Sequence, residues 1–106
     1  MVEMKEEFEQ AVKEDLGRAP FFTEVSEVSG SIEHCNYYLE NLDKFAQDIP
    51  YDDMLIYTPS STKIRWEPLG VALISGSWNY PYFTTIKPLI TCIAAGNCAV
   101  IKPSEL

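Results

Sequence analysis

An asparagine at a predicted turn is the residue of this chain best placed for chemistry. Asn79 follows a short apolar run and stands immediately before Tyr80 and Pro81. Its side-chain oxygen could cap the helix that Pro81 opens, which is a common role for asparagine. Its side-chain N–H₂ could instead donate to an oxyanion that develops during a reaction. The bare sequence favours capping and leaves the second role open.

A basic residue stands at the carboxyl end of the next apolar run. Lys102 stands there, before Pro103, and its simplest role is a solvated charge at an element boundary. The turns 75–79 and 102–105 both follow predicted strands, and parallel sheets bind ligands at the carboxyl ends of their strands. The first turn reads Ser-Gly-Ser-Trp-Asn and lacks the G-x-G-x-x-G pattern of dinucleotide-binding turns. Spacing alone therefore supports nucleotide binding only weakly.

Three cysteines and one histidine are the remaining candidates for nucleophilic or metal chemistry. Cys35 and Cys92 fall inside predicted helices, and Cys98 begins a strand that is expected to be buried. Buried thiols are usually inert packing, so none of the three is expected to be a nucleophile. The odd count without a C-x-x-C pair argues against disulfides and indicates a reducing, cytosol-like compartment. His34 lacks a partner at metal-ligand or triad spacing, which predicts an exposed helix residue and no metal site.

Helices are predicted over residues 1–48. In the first one an apolar residue recurs every four positions, at Met4, Phe8, Val12 and Leu16. Gly17 is a natural stop for this helix, and Pro20 can open the next because a first-turn residue needs no N–H donor. The second helix has apolar positions at alternating steps of four and three: Phe21, Val25, Val28, Ile32, Cys35, Leu39, Leu42 and Ala46. This seam favours a long helix packed along the body of the protein over a free coiled coil.

The middle of the chain predicts a β-hairpin over residues 54–66. Two β-prone runs, 54–58 and 62–66, flank a Pro-Ser-Ser turn, and residues 49–53 connect the hairpin to the helices. Charged and apolar residues alternate along the second run, so one of its faces is expected to be exposed to solvent. Trp66 ends this run, and its side chain is expected to pack in the hydrophobic core.

Residues 69–106 predict a strand, a helix and a second strand. The run Val71–Ser75 is almost wholly apolar, which suits a strand covered on both faces. A helix is expected from Tyr82 to Ala95, and a second buried strand over 98–101. Such a unit connects parallel strands by a right-handed crossover. The fold class is therefore α/β.

The bulk composition fits one small globular domain. The 106 residues are 46% hydrophobic and 23% charged, so disorder is not expected. Residues 1–53 carry fourteen acids against four bases, which argues against nucleic acid or an anionic membrane as a partner. Residues 54–106 carry two acids against four bases, which suits a phosphate-bearing cofactor or a merely solvated surface. The acidic N-terminus lacks the features of a signal or transit peptide, and no apolar run approaches the roughly 18 residues of a membrane span.

Four short motifs stand in register over the second half of the chain: Glu-Pro-Leu-Gly at 67–70, Trp-Asn-Tyr-Pro at 78–81, Ala-Ala-Gly-Asn at 94–97 and Lys-Pro-Ser-Glu at 102–105. Together they closely resemble the N-terminal part of aldehyde dehydrogenases, most nearly the class 3 or fatty-aldehyde branch. The resemblance is close over 66–106 and looser over 6–65. It implies N-terminal helices and a β-hairpin followed by the first βαβ unit of a Rossmann-like, doubly wound sheet, which is incomplete here.

The resemblance also implies roles for individual residues. Asn79 occupies the position of the family's oxyanion-hole residue, which holds the alkoxide formed when a cysteine thiolate attacks the aldehyde. Lys102 and Glu105 match the residues that bind the adenosine ribose, and the cofactor is expected to be NAD or NADP. The remaining positions of the cofactor groove are Gly76, Ser77, Trp78 and Ser104.

The function expected from the resemblance is that of an NAD(P)-dependent aldehyde dehydrogenase, of which this chain is the N-terminal part. No segment matches the family's catalytic cysteine or general-base glutamate, so the isolated chain is expected to be inactive. Its partner would be a small aldehyde, with no nucleic acid and no membrane contact from this segment, in a cytoplasmic homodimer. The alternative is a non-catalytic structural or interaction module whose working surface is the acidic helix 20–48.

Overall fold

The computed structural model of the protein describes residues 3–51 and 59–105. The elements run in chain order as helices α1 (Lys5–Leu16) and α2 (Pro20–Thr23), the π-helix π1 (Glu24–Ser29), helix α3 (Gly30–Phe45), strands β1 (Ile49–Pro50), β2 (Lys63–Ile64) and β3 (Val71–Ser75), helix α4 (Phe83–Ala94) and strand β4 (Cys98–Lys102). The predicted α/β class, with helices first and a βαβ unit last, is confirmed.

Helix α1 ends where the sequence predicts. Gly17 adopts a left-handed conformation with φ 66°, and its N–H donates to the Lys13 carbonyl oxygen at 2.9 Å. A glycine adopts this conformation without the steric cost that a side chain would bring. The apolar stripe of α1 packs inward through buried Val12 and through Phe8, whose ring lies 4.6 Å from the ring of Tyr82.

The long second helix forms, but Val28 is the one residue of its predicted seam that is fully buried. Pro20 opens it as expected, and π1 then interrupts the α-helical hydrogen bonding between α2 and α3. The fully buried side chains are Thr23, Glu27, Val28 and Ser31. By contrast, the predicted seam residues Phe21 and Leu39 are 67% and 75% exposed. Apart from Val28, the fully buried side chains of this helix are polar, and a search for apolar periodicity does not detect them.

The predicted hairpin is only partly within the described residues. Its first run, 54–58, lies outside them, and the second run contributes β2. The strand that pairs with β2 is β1, antiparallel, with Ile49 opposite Ile64. Residues 49 and 50 are thus a strand rather than part of a connector, and this prediction is wrong.

Charged side chains join the residue before β1 to strand β2 and the residue after it. The Asp48 carboxylate accepts two hydrogen bonds from Arg65, at 2.8 and 2.9 Å, and one from Lys63. The hydrogen bonds from Arg65 and then Lys63 lower the pKa of Asp48 below its usual range. Trp66, which was expected in the core, is 72% exposed and borders a groove between the end of α3 and the end of α4. In the described residues no element covers it.

The βαβ unit forms with its strands in parallel register. Val71 pairs with Cys98 and Ser75 pairs with Lys102, at the two ends of the sheet. Helix α4 covers the face that carries Ile74, which is buried. The other face is open, and Leu73 on it is 71% exposed. The expectation of strands covered on both faces is therefore met on one face only in this chain.

The chain is extended rather than compact. Its Cα radius of gyration is 19.2 Å, whereas a compact domain of 100 residues has a value of about 13 Å. Cys98 lies on the open face and is exposed, so the expectation that it is buried is wrong. Among the described helices, none has both the length and the apolar character that crossing a membrane requires.

Candidate functional site

The turn after β3 is joined directly to the end of β4. The N–H of Gly76 donates to the carbonyl oxygen of Lys102 at 2.9 Å, which continues the parallel ladder by one bond. A Cβ atom on Gly76 would lie 2.3 Å from Oγ1 of Thr85, on the first turns of α4. Glycine at this position thus allows α4 to approach the strand end closely, and the two polar turns share one edge of the sheet.

A hydrogen-bonded chain within the first turn orients the Asn79 side chain. Thr84 Oγ1 donates to the Tyr80 carbonyl oxygen at 2.8 Å and accepts from the Ser77 N–H at 3.0 Å. The Ser77 hydroxyl donates to Asn79 Oδ1 at 2.8 Å, because an amide oxygen can only accept, and Thr84 Oγ1 lies farther from it at 3.3 Å. The amide nitrogen Nδ2 of Asn79 donates to no group within residues 3–51 and 59–105, and the residue is exposed. Its two N–H bonds are thus available to a ligand.

The helix-capping role that the bare sequence favoured for Asn79 belongs to another residue. No side chain at the N-cap position of α4 makes a capping hydrogen bond. Instead, Oε2 of Glu27 accepts from the N–H groups of Tyr82 and Phe83, at 2.8 and 3.2 Å. A carboxylate at a helix N-terminus satisfies free N–H groups and interacts favourably with the helix dipole. Glu27 therefore caps α4 across the interface between the N-terminal helices and the βαβ unit.

Arg18 links this cap to the Asn79 turn. Its guanidinium pairs with Oε1 of Glu27 and also donates to the backbone carbonyl oxygen of Asn79. The same group lies 4.6 Å over the ring of Tyr80. Glu27 is fully buried, and Arg18 is mostly so, with 21% of its side chain exposed. Sequence reasoning missed both residues, although Thr23, Glu27 and Ser31 form a polar run at steps of four that marks this helix face.

The second turn brings two predicted cofactor residues together. Lys102 Nζ and Glu105 Oε1 are 2.8 Å apart, and their side chains are 54% and 81% exposed. An ion pair this exposed is weak and readily exchanged, so both groups can turn to a ligand. Ser104, between them, is half-buried. In the first turn Ser77 is half-buried and Trp78 is exposed. Both turns follow the paired ends of β3 and β4, where Ser75 lies opposite Lys102.

The other titratable candidates lie away from this edge. His34 is half-buried and its Nε2 lies 2.9 Å from Oγ1 of Thr91 on α4, so the prediction of an exposed histidine is wrong. All three cysteines are free thiols: Cys35 is half-buried, Cys92 buried and Cys98 exposed. Over the described ranges, no group of three potential metal ligands comes together.

The fold and the two turns define an α/β segment with polar groups at the carboxyl ends of parallel strands, where such sheets bind ligands. The family model of the aldehyde dehydrogenase family matches residues 1–106, and the chain belongs to that family. It is 40% identical over 104 residues to aldehyde dehydrogenase family 3 member B2 of Mus musculus and to member B1 of Homo sapiens. It is 38% identical over 104 residues to family 3 member A2 of Mus musculus.

A solved structure also matches the fold of this chain. The substrate-bound state of Staphylococcus aureus AldH matches with a TM-score of 0.92 and 31% identity, over 97% of this chain. Each of the three sequence matches covers 98% of this chain. In each case the chain spans 22% of the length of the protein it matches.

Proposed function

We propose that residues 1–106 are the N-terminal part of an NAD(P)-dependent aldehyde dehydrogenase that oxidises an aldehyde to a carboxylic acid. Membership of the family and the likeness to a substrate-bound relative support this proposal. The observation that carries it is the state of Asn79. Its Oδ1 is held by Ser77, its capping role is taken by Glu27, and its Nδ2 faces no competing acceptor in the described residues.

In the proposed reaction the donor at Asn79 stabilises charge as it develops. A cysteine thiolate from the remainder of the enzyme forms a C–S bond to the aldehyde carbon, and the aldehyde oxygen becomes an alkoxide. The Nδ2–H of Asn79 donates to that oxygen, and a donor already fixed in place costs no reorganisation at this step. A nicotinamide cofactor bound in this groove would supply the acceptor for the hydride that leaves the same carbon. The chain itself supplies the donor and part of the cofactor site.

The second turn fits the sugar of such a cofactor. A ribose presents neighbouring hydroxyls that both donate and accept, and the Lys102–Glu105 pair offers an ammonium donor and a carboxylate acceptor at the edge of the sheet. A carboxylate there suits the free hydroxyls of NAD, while the adjacent ammonium can meet a 2′-phosphate. We assign Gly76, Ser77, Trp78 and Ser104 to the same groove. The proposed cofactor is therefore NAD or NADP.

The test is to replace Asn79 with alanine in the full-length enzyme that carries this segment. Losing one preorganised donor should reduce kcat by about 10²–10³-fold. Cofactor affinity and melting temperature should stay nearly unchanged because Asn79 does not cap α4. Lys102→Ala is the matched control at the other turn, and it should weaken cofactor binding instead. Normal turnover in Asn79→Ala would refute the oxyanion role.

The reading frame after Leu106 separates this proposal from a non-catalytic module. A continuation with a cysteine and a glutamate in the family's sequence context supports the enzyme. A stop codon at that point would contradict it, and the acidic helix 20–48 would then be the surface to study.

A further inference from the structure

Glu27 is the only fully buried acidic side chain in the described residues. A buried carboxylate is costly unless hydrogen bonds and an opposite charge compensate its lost hydration. Here both oxygens are used, since Oε2 accepts from two N–H groups at the start of α4 and Oε1 accepts from Arg18. The carboxylate therefore fixes the start of α4 against π1.

Arg18 carries this restraint into the Asn79 turn. One nitrogen of its guanidinium bonds Glu27, and another bonds the backbone carbonyl oxygen of Asn79. Its cationic face over the Tyr80 ring adds a third contact to the same turn. Only a planar fork of donors reaches two acceptors at fixed separation in this way, and a lysine ammonium does not reproduce it.

Asn79 is consequently held at two points. Arg18 binds its backbone oxygen and Ser77 binds its side-chain oxygen Oδ1, at 2.8 Å. Both restraints leave Nδ2 free and fix where it lies. Catalytic donors depend strongly on such placement, since a displacement of about 1 Å can cost roughly a hundredfold in rate.

We propose that Arg18 and Glu27 form a positioning pair for Asn79. The inference rests on the proposed oxyanion role, because a pair that positions Asn79 affects the rate only if Asn79 acts in the reaction. Neither residue touches the reacting atoms, so neither is catalytic. The N-terminal helices thereby contribute to the active site through one ion pair.

The test is a double-mutant cycle on kcat in the full-length enzyme. Arg18→Ala alone should lower kcat by about 10–100-fold, with KM for the aldehyde and the affinity for cofactor nearly unchanged. In the Asn79→Ala background, Arg18→Ala should lower kcat no further, since residues acting through one group are not additive. Full additivity of the two losses would overturn the proposal.

Two further variants separate positioning from folding. Arg18→Lys keeps the charge beside Glu27, so it should fold even if Arg18→Ala does not, and it should restore only part of kcat. Lys5→Ala is the matched control because Lys5 pairs with Glu24 and so joins α1 to π1 without touching the Asn79 turn. It should leave kcat unchanged.

The outcomes for the two proposals are distinct. A normal kcat in Asn79→Ala removes the proposed oxyanion role and this inference with it. A slow Asn79→Ala together with normal kcat in Arg18→Lys and Arg18→Ala refutes the positioning pair alone. A slow Arg18→Lys whose effect disappears in the Asn79→Ala background supports both.

Discussion

Replacing Gly76 with alanine should destabilise the contact between the strand ends and helix α4. The added Cβ would lie 2.3 Å from Thr85 Oγ1, which is closer than two such atoms can approach. The next atoms are Thr85 Cβ at 3.7 Å and the Lys102 carbonyl oxygen at 3.8 Å, both at ordinary contact distance. The conflict is thus confined to one hydroxyl group.

The size of the effect follows from what must move. If Thr85 rotates, it loses the 2.8 Å hydrogen bond to the Pro81 carbonyl oxygen, a bond that contributes about 1 kcal/mol. If α4 shifts instead, overpacking of this kind costs about 1–3 kcal/mol. The backbone at Gly76 lies outside the positive-φ region, so alanine recovers roughly 0.4–1 kcal/mol by restricting the unfolded chain. The expected net loss is roughly 0–0.6 kcal/mol if Thr85 rotates and up to about 2.6 kcal/mol if α4 must shift.

Urea unfolding of the full-length enzyme, with hydrogen exchange at the Gly76 amide, measures this change. Gly30→Ala is the matched control, because its Cβ would meet the Phe83 ring at 3.5 Å within helical backbone, and it should stabilise by up to about 1 kcal/mol. In a Thr85→Ala background, Gly76→Ala should become neutral or stabilising. A loss of the same size in both backgrounds would refute the steric reasoning.

Two other predictions concern burial. The Tyr82 hydroxyl has no hydrogen-bond partner among the described residues, and burial raises its pKa. The tyrosine of the unfolded chain therefore ionises first, so the free energy of unfolding should fall as pH rises past about 10. Tyr82→Phe should remove that part of the loss in free energies of unfolding measured across this pH range, and an unchanged alkaline slope would contradict it. Residues 1–106 expressed alone should self-associate through the open sheet face around Leu73, which is 71% exposed. Sedimentation tests this, and a monomer with a sharp cooperative melt at micromolar concentration would show it to be wrong.

Local signals predicted the parts of the fold that depend on neighbours in the chain. Gly17 ends α1 because only its own backbone conformation is at stake, and Pro20 opens α2 for the same reason. The apolar run at Val71–Ser75 predicts β3 with its bounds, since strand formation and burial both favour it. The hairpin was harder, because β2 pairs with the two-residue strand β1, whose length gives no periodic signal.

The seam of the long helix could not be predicted from apolar spacing. Hydrophobic periodicity assumes that the buried face is the apolar face, and here Thr23, Glu27 and Ser31 are buried while Val25 is 57% exposed. The interruption by π1 also changes the residue spacing that a regular helix would keep. Glu27 is buried on this face because the Tyr82 and Phe83 N–H groups and the Arg18 charge compensate its carboxylate. Ser31 donates to the Glu27 carbonyl oxygen one turn earlier in the same helix.

The role of Asn79 also depends on a contact between residues that are distant in the chain. From its neighbours alone, an asparagine before Tyr80-Pro81 caps a helix, because the free N–H groups of α4 need an acceptor. That acceptor is Glu27, which stands 55 positions from Tyr82 in the chain. Once a distant carboxylate satisfies the helix end, the local argument for capping no longer applies. Ser77 binds the amide oxygen, and the amide donors meet no acceptor within residues 3–51 and 59–105. The assignment of Asn79 thus depends on a long-range polar contact, and the variants of Arg18 and Asn79 test that contact directly.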